Sequence, residues 1–366
     1  MDKQKVGIVT FHTADNYGAV LQAYALQYFI EKHIDLSVNI IDFNTPSHQK
    51  EHNVFKKGPD LARSLAYSFF TSLRYFPLRR RIKKFADFRK NYLNLTKHRY
   101  DSESDFLKNI EHFDYYISGS DQVFNPNVMF SDCYYLGFDK KKSKKIAYAP
   151  SFGVASFNSD QVFRIRNLIK DFDSLSCRES VGASFLSELT GRMVQTVCDP
   201  VFLLSKEEWE SIIKPCGSYE PYIFIYDLNG RYNLVELAHK ISMENGNIPI
   251  VCASTNTRYY YRGVHVIRSL GPLDLLYYIQ NAQYVVTDSF HGTSLSLILQ
   301  TKVICYIASE HTSSRIESLA EILNIRSQIV YDCKSFFLKQ ISFNNYMPQL
   351  NDFVEKSREF LKKSLC

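Results

Sequence analysis

The sequence lacks every run that could cross a membrane and every pattern of paired cysteines. Its longest stretch without a charged residue, residues 16–30, has 15 residues, whereas a membrane span needs about 18 apolar ones. The first residues run directly into the strand-like Val6–Phe11 and show no signal-peptide pattern. The eight cysteines include no Cys-x-x-Cys pair, which argues against a zinc knuckle or a disulfide framework. We therefore expect a protein of the reducing cytoplasm.

The fingerprints of several enzyme classes are also missing. The sequence has no G-x-x-x-x-G-K-[ST] phosphate loop, no G-x-G-x-x-G turn, no H-E-x-x-H pair and no G-x-S-x-G elbow. Nucleotide hydrolysis, Rossmann redox chemistry, zinc proteolysis and α/β-hydrolase chemistry all lose support. No residue cluster indicates a metal, and we expect that the protein requires neither a metal nor a cofactor.

The net positive charge of the chain comes from one segment. The 366 residues carry a net charge of +6, but residues 74–99 hold ten Lys and Arg against the single acid Asp87. That segment alone carries +9, so the rest of the chain sums to −3. A generally cationic protein is excluded, and we expect no nucleic-acid partner. Such a run is most often a solvated helical face, and its density also favours an anionic surface partner.

Strand-like and helix-like stretches alternate along the chain in two series. The first begins at Val6–Phe11 and the second near Pro221. Alternation predicts parallel sheets, so we expect two α/β domains, with ligands bound in the cleft outside the carboxyl ends of the strands. The predicted N-terminal domain covers residues 1–205, and the predicted C-terminal domain covers residues 215–345.

Two segments lie outside this alternation. Residues about 44–112 form a basic, aromatic insertion whose apolar residues recur at helical spacing, which predicts two or three helices within the N-terminal domain. Residues 349–366 are predicted to form a C-terminal helix that packs back on the N-terminal domain.

The strongest local signal is the end of the strand-like run at Val285–Thr287. Polar residues follow it at once, and His291 lies where a helix begins. A helix N-terminus suits a phosphate or a carboxylate, and a histidine there can act as a general acid near neutral pH. The alternative is that Asp288 or Ser289 is a helix cap and that His291 is an ordinary first-turn residue.

Four further positions have the same two interpretations. Asp121 follows the strand-like Tyr115–Ser118 and is a candidate base, but turns rich in Gly, Ser and Asp are also plain connections. The first loop, residues 12–18, is equally ambiguous. Arg178, at a strand end, and Arg315, which opens a helix, are candidate clamps for an anion or simple salt-bridge partners.

An ordered set of motifs joins these positions. They are Asn16-Tyr17-Gly18-Ala19-Val20-Leu21-Gln22, Gly119-Ser120-Asp121-Gln122-Val123-Phe124-Asn125-Pro126, Tyr148-Ala149-Pro150-Ser151-Phe152-Gly153, Cys177-Arg178-Glu179, Asp199-Pro200 and Asp288-Ser289-Phe290-His291-Gly292. In this order and spacing they resemble the polysaccharide pyruvyl transferase family. The resemblance covers nearly the whole chain apart from the insertion and the tail.

The resemblance implies two Rossmann-like domains that face a cleft, as in GT-B glycosyltransferases, with the acceptor on the N-terminal side and the donor on the C-terminal side. It implies transfer of a pyruvyl group from phosphoenolpyruvate to a sugar, with a ketal formed and phosphate released. His291 then matches the general acid and Asp121 the base. The implied donor-binding residues are Arg178, Arg315, Ser289, Gly292 and Thr293. The implied acceptor-binding residues are Asn16, Tyr17, Gln22, Ser120 and Gln122.

One position departs from the family pattern. Some relatives have an Arg two residues before the matching histidine, where this chain has Ser289. We expect Arg315 to supply the missing cation. Two other functions stay open: a GT-B-like glycosyltransferase that uses a nucleotide sugar, and a non-catalytic subunit of a polysaccharide assembly complex.

The family also suggests where the basic segment belongs. Acceptors in such pathways are typically sugars linked to undecaprenyl diphosphate at the cytoplasmic face of the membrane. We therefore expect residues 74–99 to dock on anionic lipid or on the acceptor diphosphate. The protein would be peripheral at the inner face of the membrane, and its acceptor would be a hexose of a lipid-linked surface-polysaccharide precursor, such as capsular polysaccharide or exopolysaccharide.

Overall fold

The alternating pattern forms two parallel sheets in the computed structural model. The structure describes residues 3–44, 61–128, 131–138, 143–154, 156–217, 221–228, 230–254, 262–307 and 310–366, with the backbone alone for residues 61–75 and 310–313. Strand-like runs such as residues 223–227 are buried along their whole length, as is usual for parallel strands covered on both faces.

The first sheet carries the N-terminal series. Its strands are β1 (Lys5–Val9), β2 (Ser37–Phe43), β3 (Leu95–Tyr100), β4 (Tyr115–Ser118), β5 (Lys144–Ala147), β6 (Ser174–Cys177) and β7 (Gln195–Thr196). They lie in the order β3-β2-β1-β4-β5-β6-β7, all parallel. The helices of this half are α1 (Tyr17–His33), α2 (Leu61–Tyr92), α3 (Glu103–Asn109), α4 (Ser159–Ile169) and α5 (Ser180–Thr190).

The second sheet repeats this topology. Its strands are β8 (Ile223–Asp227), β9 (Ile250–Ser254), β10 (Val264–Ile267), β11 (Tyr284–Thr287), β12 (Lys302–Tyr306) and β13 (Ile329–Val330), in the parallel order β10-β9-β8-β11-β12-β13. The connection from the first domain contains a 3-10 turn, Pro200–Leu203, and the short helix α6 (Lys206–Glu210). The later helices are α7 (Tyr232–Glu244), α8 (Pro272–Gln280), α9 (Phe290–Ile298), α10 (Glu310–Ile322) and α11 (Met347–Leu365). Both sheets thus follow the Rossmann strand order, and the predicted fold class is confirmed.

Helix α1 lies between the two domains. Asn16 caps its start by accepting a hydrogen bond from the backbone N–H of Ala19 at 3.3 Å. The helix packs on the first sheet and also contacts α8 and α9 of the second domain. This double contact explains why it is buried on nearly all sides.

The insertion differs from its prediction in one element. Helices α2 and α3 lie there as expected, but β3 lies between them and adds an edge strand to the first sheet. The sequence pattern did not indicate this strand, because it shows no alternation of apolar and polar residues. Lys97, His98 and Arg99 are all exposed, and only Thr96 and Tyr100 are buried. Charged side chains protect an edge strand from pairing with another chain. The first part of the insertion, residues 45–60, lies outside the described residues.

Helix α2 has two different sides. Its inner face, Arg81, Phe85 and Phe88, is buried against the first domain. Its outer face is exposed: Phe76, Arg79, Arg80, Lys83 and Lys90. The cations of residues 74–99 are therefore divided between a packed side and a solvated side.

The C-terminal helix α11 lies on the first domain. The hydroxyl of Ser357 accepts from the backbone N–H of Cys198 at 2.9 Å, and Arg358 donates to the carbonyl of Leu203 at 2.6 Å. The chain thus returns from the second domain to the first. Over the described part of the chain, no helix has the length and apolarity that a membrane crossing needs.

Candidate functional site

Polar side chains from the strand ends of both sheets meet in the cleft at the carboxylate of Asp199. This residue follows β7 and begins the 3-10 turn at Pro200. Its Oδ2 accepts hydrogen bonds from Arg178 Nη1 at 2.6 Å and from Ser120 Oγ at 2.9 Å. The same oxygen lies 3.4 Å from Nε2 of His291. One buried carboxylate therefore gathers three predicted site residues.

His291 reaches this carboxylate from the other domain. It lies in the first turn of α9, which Ser289 caps by accepting from the N–H of Gly292 at 3.1 Å. The ring lies against Gly18 at the start of α1, where an added Cβ would come within 2.0 Å of Nδ1. The imidazole is thus enclosed between the two domains, and its Nε2 is buried without a hydrogen-bond partner.

Arg178 is buried and only partly satisfied. Its guanidinium lies over the ring of Phe290 at 4.6 Å, and its Nε and Nη2 have no hydrogen-bond partner. Burial opposes its charge, but the carboxylates of Asp199, Glu179 and Asp121 outweigh burial and raise its pKa above the ordinary arginine value. A permanently charged group with unused N–H donors suits an anionic ligand.

Glu179 organises the loop after β5. One of its oxygens accepts from the hydroxyl of Ser151 at 2.8 Å and from the N–H groups of Phe152 and Gly153 at 2.9 and 3.1 Å. Its other oxygen is buried and has no hydrogen-bond partner. The residue after Arg178 therefore fixes the neighbouring loop and adds negative charge to the site.

Asp121 occupies a strained backbone position in the same cleft. Its φ of 70° is in the left-handed region, which costs an aspartate about 1 kcal/mol or more. Its carbonyl accepts from the N–H of Ser151 at 2.8 Å, and its carboxylate accepts from the N–H of Gln122 at 2.9 Å. Such strain is typical of functional positions that the surrounding structure holds in place.

Arg315, in α10 of the second domain, lies close enough to interact with this cluster. Burial and the positive charge of Arg178 lower its pKa below the ordinary arginine value, against the opposing effect of the nearby carboxylates. Those carboxylates belong to Asp121, Glu179 and Asp199. The second candidate cation thus faces the first across the cleft.

The remaining predicted donor residues have local roles in α9. Ser289 is its cap, as described above. The hydroxyl of Thr293 donates to the carbonyl of Ser289 at 3.0 Å. A Cβ on Gly292 would come within 2.7 Å of both Thr287 and Tyr226, so only glycine fits there. These residues shape the helix start that carries His291.

The predicted acceptor-binding residues do not lie together in the structure. Tyr17 bridges the domains, because its hydroxyl donates to the carbonyl of Leu270 at 2.9 Å. Gln22 is fully buried, and its amide nitrogen donates to Thr10 and to the carbonyls of Phe11 and Ala19. The structure therefore places Gln22 inside the first domain and not at the cleft surface.

Two more acceptor candidates lie at loop surfaces. Asn16 is exposed at the cap of α1. Gln122 is half-buried and accepts from the side chain of Asn125 at 2.6 Å. Ser120, by contrast, belongs to the Asp199 cluster. Within the described residues, no three His, Cys, Asp or Glu side chains are grouped so that they could hold a metal.

The sequence and the fold both have counterparts among known proteins. Residues 16–310 match the family model of the polysaccharide pyruvyl transferases. The chain belongs to the polysaccharide pyruvyl transferase family. No individual curated protein matches the sequence significantly.

Solved structures share the fold at very low identity. A protein assigned as a UDP-N-acetylglucosamine 2-epimerase of Listeria monocytogenes aligns with a TM-score of 0.52 and 11% identity, over 99% of this chain and 91% of its own. The S. aureus MnaA–UDP structure aligns with a TM-score of 0.50 and 10% identity, over the same shares of 99% and 91%. At this identity the likeness concerns the fold alone, which is the GT-B-like arrangement expected from the family.

The sequence predicted no role for Asp199 and Gly18, the two residues that lie against His291. Asp199 stood in a recognised motif, but nothing in the sequence placed it beside His291. The available signal was its position as a carboxylate at a strand end, directly before Pro200. Gly18 also stood in a motif, and its closeness to His291 depends on the packing of the two domains, which a sequence pattern does not contain.

Proposed function

We propose that the protein transfers a pyruvyl group from phosphoenolpyruvate to a sugar, forms a ketal and releases phosphate. The observation that carries the proposal is the pair of unused N–H donors of Arg178 beside His291, buried in the cleft of a family member. Phosphoenolpyruvate has a phosphate and a carboxylate, and both need cationic or N–H partners. Arg178, Arg315 and the N-terminus of α9 are the groups we assign to them.

The two guanidinium groups of the cleft support an anionic donor. Around the cleft, Asp121, Glu179 and Asp199 face Arg178 and Arg315. We assign His291 as the general acid that gives a proton to C3 of the enol.

The reaction balances with the residues present. Protonation of C3 makes C2 oxocarbenium-like, and a first sugar hydroxyl attacks C2 while Asp121 accepts its proton. A second hydroxyl then attacks C2, the bond from C2 to the phosphate oxygen breaks, and the ketal closes. Of the two hydroxyl protons, one replaces the proton that His291 gave and the other leaves with phosphate. Most of the rate would come from positioning and charge stabilisation.

The acceptor is proposed to be a lipid-linked sugar. Asn16 and Gln122 lie at loop surfaces beside the cleft and are the candidates for its hydroxyls. The outer face of α2 adds four cations and the exposed ring of Phe76, a combination that suits an anionic lipid surface. We propose that this face docks the protein on the membrane that carries the acceptor.

The deciding experiment offers donor and acceptor together. The protein is incubated with phosphoenolpyruvate and with free or lipid-linked galactosides, and the products are weighed by mass spectrometry and assayed for phosphate. A pyruvate ketal that forms with wild type and not with His291→Ala supports the proposal. Thermal shifts with phosphoenolpyruvate and with UDP- and GDP-sugars form the second arm. Stabilisation by a nucleotide sugar alone would favour a glycosyltransferase, and no product with any pair would favour a non-catalytic subunit.

A further inference from the structure

The carboxylate of Asp199 is held in place by groups of the protein itself. Its Oδ1 accepts from the backbone N–H of Val201 at 3.1 Å, and its Oδ2 accepts from Ser120 and Arg178. The side chain is fully buried. A carboxylate held at both oxygens has little freedom to rotate, so its position defines the positions of its partners.

His291 is the neighbour of this carboxylate that has no hydrogen bond to it. Its Nε2 lies 3.4 Å from Oδ2, whereas an N–H···O hydrogen bond has a length of about 2.7–3.2 Å. Nε2 is also buried without any other partner, which is costly for a polar atom. The two atoms belong to different domains, so this contact depends on how the domains pack.

Asp199 is ionised when it faces the ring. Burial alone would raise its pKa, but His291 and Arg178 outweigh burial and hold the pKa well below the ordinary range. A carboxylate opposite one imidazole nitrogen favours a proton on that nitrogen and leaves the other nitrogen to exchange protons with a ligand. Here the first nitrogen is Nε2, and the second is Nδ1, beside Gly18.

We propose that Asp199 is a positioning residue of the pyruvyl-transfer site: it holds the side chains of Arg178 and His291 in place across the domain boundary and orients the imidazole ring for proton transfer. The inference rests on the proposed function for the role of the ring, and on geometry alone for the contact. A carboxylate of the first domain thus orients the general acid that the second domain supplies.

The variant that tests the proposal is Asp199→Asn, which keeps the shape and removes the charge. Turnover should fall on the order of 100-fold, and the KM for phosphoenolpyruvate should also rise, because the guanidinium of Arg178 loses its charged partner. Ser120→Ala is the matched control, since it removes one hydrogen bond to the same oxygen and leaves the charge. It should reduce turnover by less than about tenfold. Equal losses in the two variants would overturn the proposal.

A double-variant cycle separates positioning from a merely structural role. If Asp199 acts through His291, Asp199→Asn should cost little further turnover in a His291→Gln background. A loss of the same size in both backgrounds would contradict a role through the ring. Residual turnover of the four proteins is measured with the same soluble acceptor, and circular dichroism checks that each is folded.

An NMR readout tests the contact even if no acceptor gives a ketal. With histidine labelled at the ring carbon Cε1, the His291 signal is identified by its absence from His291→Gln. In Asp199→Asn this signal should move and broaden as the ring loses its partner, while the signal of the exposed His265 stays in place. An unchanged His291 signal would overturn the proposal. A changed signal without any ketal product would leave the positioning intact and reject the transferase function. If Asp199→Asn does not fold, the signal is followed in Ser120→Ala, where a smaller shift is expected and no shift is evidence against the contact.

Discussion

The imidazole of His291 lies directly on the backbone of Gly18. The two residues belong to different domains, and each lies in the first turn of a helix, α9 for His291 and α1 for Gly18. The contact is so close that an added Cβ would lie 2.0 Å from Nδ1 and 2.5 Å from Cγ. Real Cβ atoms do not approach other atoms this closely, so the ring or one of the two helices would have to move.

The first prediction is that Gly18→Ala lowers turnover without unfolding the protein. Alanine favours the helix by about 1 kcal/mol over glycine, so the backbone of α1 tolerates the change. The methyl group nevertheless displaces the ring from Asp199, and kcat should fall on the order of 100-fold. Steady-state kinetics with phosphoenolpyruvate measure it.

Gly191→Asn is the control for that prediction. Gly191 ends α5 with a φ of 66°, which asparagine tolerates, and no atom lies near its missing Cβ. Its turnover should match wild type. A fully active Gly18→Ala would mean that the contact is dispensable for the reaction.

The second prediction concerns Arg315, which we propose as the substitute for the arginine that some relatives have at the position of Ser289. Arg315→Ala should raise the KM for phosphoenolpyruvate at least tenfold, because a charge-assisted contact to an anion contributes about 1.5–3 kcal/mol. Arg326, in the same domain, is mostly exposed and lies 4.0 Å from Glu321. Arg326→Ala is therefore the matched control, because it also removes one arginine from this domain. Its KM for phosphoenolpyruvate should equal that of wild type. An unaltered KM in Arg315→Ala would remove this residue from the donor site.

The alternation of strands and helices was enough to predict two parallel sheets and to place most of their elements. Hydrophobic runs such as β8 and β11 are buried on both faces, and buried runs leave a strong signal in the sequence. The edge strand β3 leaves almost no such signal in the sequence. Three of its consecutive side chains are exposed, and it pairs with another strand on one side only. Local pattern therefore predicts the centre of a sheet better than its edge.

The site follows the same logic. His291 and Arg178 were recognisable because polar residues interrupt buried strands at their carboxyl ends, where ligands bind in such sheets. The roles of Asp199 and Gly18 depend on which loops meet across the cleft, and that is a property of domain packing. Gln22 is a different case: its motif was recognised, but its amide nitrogen bonds Thr10, Phe11 and Ala19 inside the first domain, which the motif alone did not indicate.

The third prediction is a pH dependence of stability. The pKa of Asp199 is lowered in the folded protein by His291 and Arg178 against the effect of burial, while an unfolded aspartate has a pKa of about 3.9. A lowered folded pKa contributes stability above the unfolded value and loses it as the pH falls through the folded value. The advantage of wild type over Asp199→Asn should therefore be about 3 kcal/mol near neutral pH and should shrink below about pH 4.

Urea unfolding at a series of pH values measures that difference. Asp132→Asn is a suitable reference, because Asp132 is half-exposed and pairs with Arg164 at the surface. Its effect should be below about 1 kcal/mol. A wild-type advantage that grows as the pH falls would show that the sign of the Asp199 contribution is wrong.

The fourth prediction separates the inner face of α2 from its outer face. Arg81 is buried, bonds the carbonyl of Asp15, and lies over the rings of Tyr17 and Phe85 at 5.2 and 4.6 Å. Arg81→Gln should destabilise the fold by about 2 kcal/mol and lower turnover, because the loop it holds leads to Gly18. Thermal unfolding and kinetics are the measurements. A stable, fully active Arg81→Gln would mean that this cation belongs with the solvated ones.

The fifth prediction concerns the outer face alone. Replacing Arg79, Arg80 and Lys83 together by Gln should weaken binding to vesicles that contain anionic lipid by about 3 kcal/mol, at about 1 kcal/mol for each cation near the surface. Turnover on a soluble acceptor should be unchanged, because all three side chains are exposed to solvent and none belongs to the Asp199 cluster. Arg81 and Lys84 are left intact in this variant, since one is buried and the other pairs with Asp274 of the second domain at 2.6 Å.

The control for charge removal uses α11. Lys356, Lys362 and Lys363 are three exposed lysines there, and their replacement by Gln removes the same net charge from a different surface. If vesicle binding falls equally in both triple variants, the attraction comes from net charge and the outer face of α2 has no special role. If it falls only in the α2 variant, binding depends on the placement of these cations beside the exposed ring of Phe76, since net charge is the same in both.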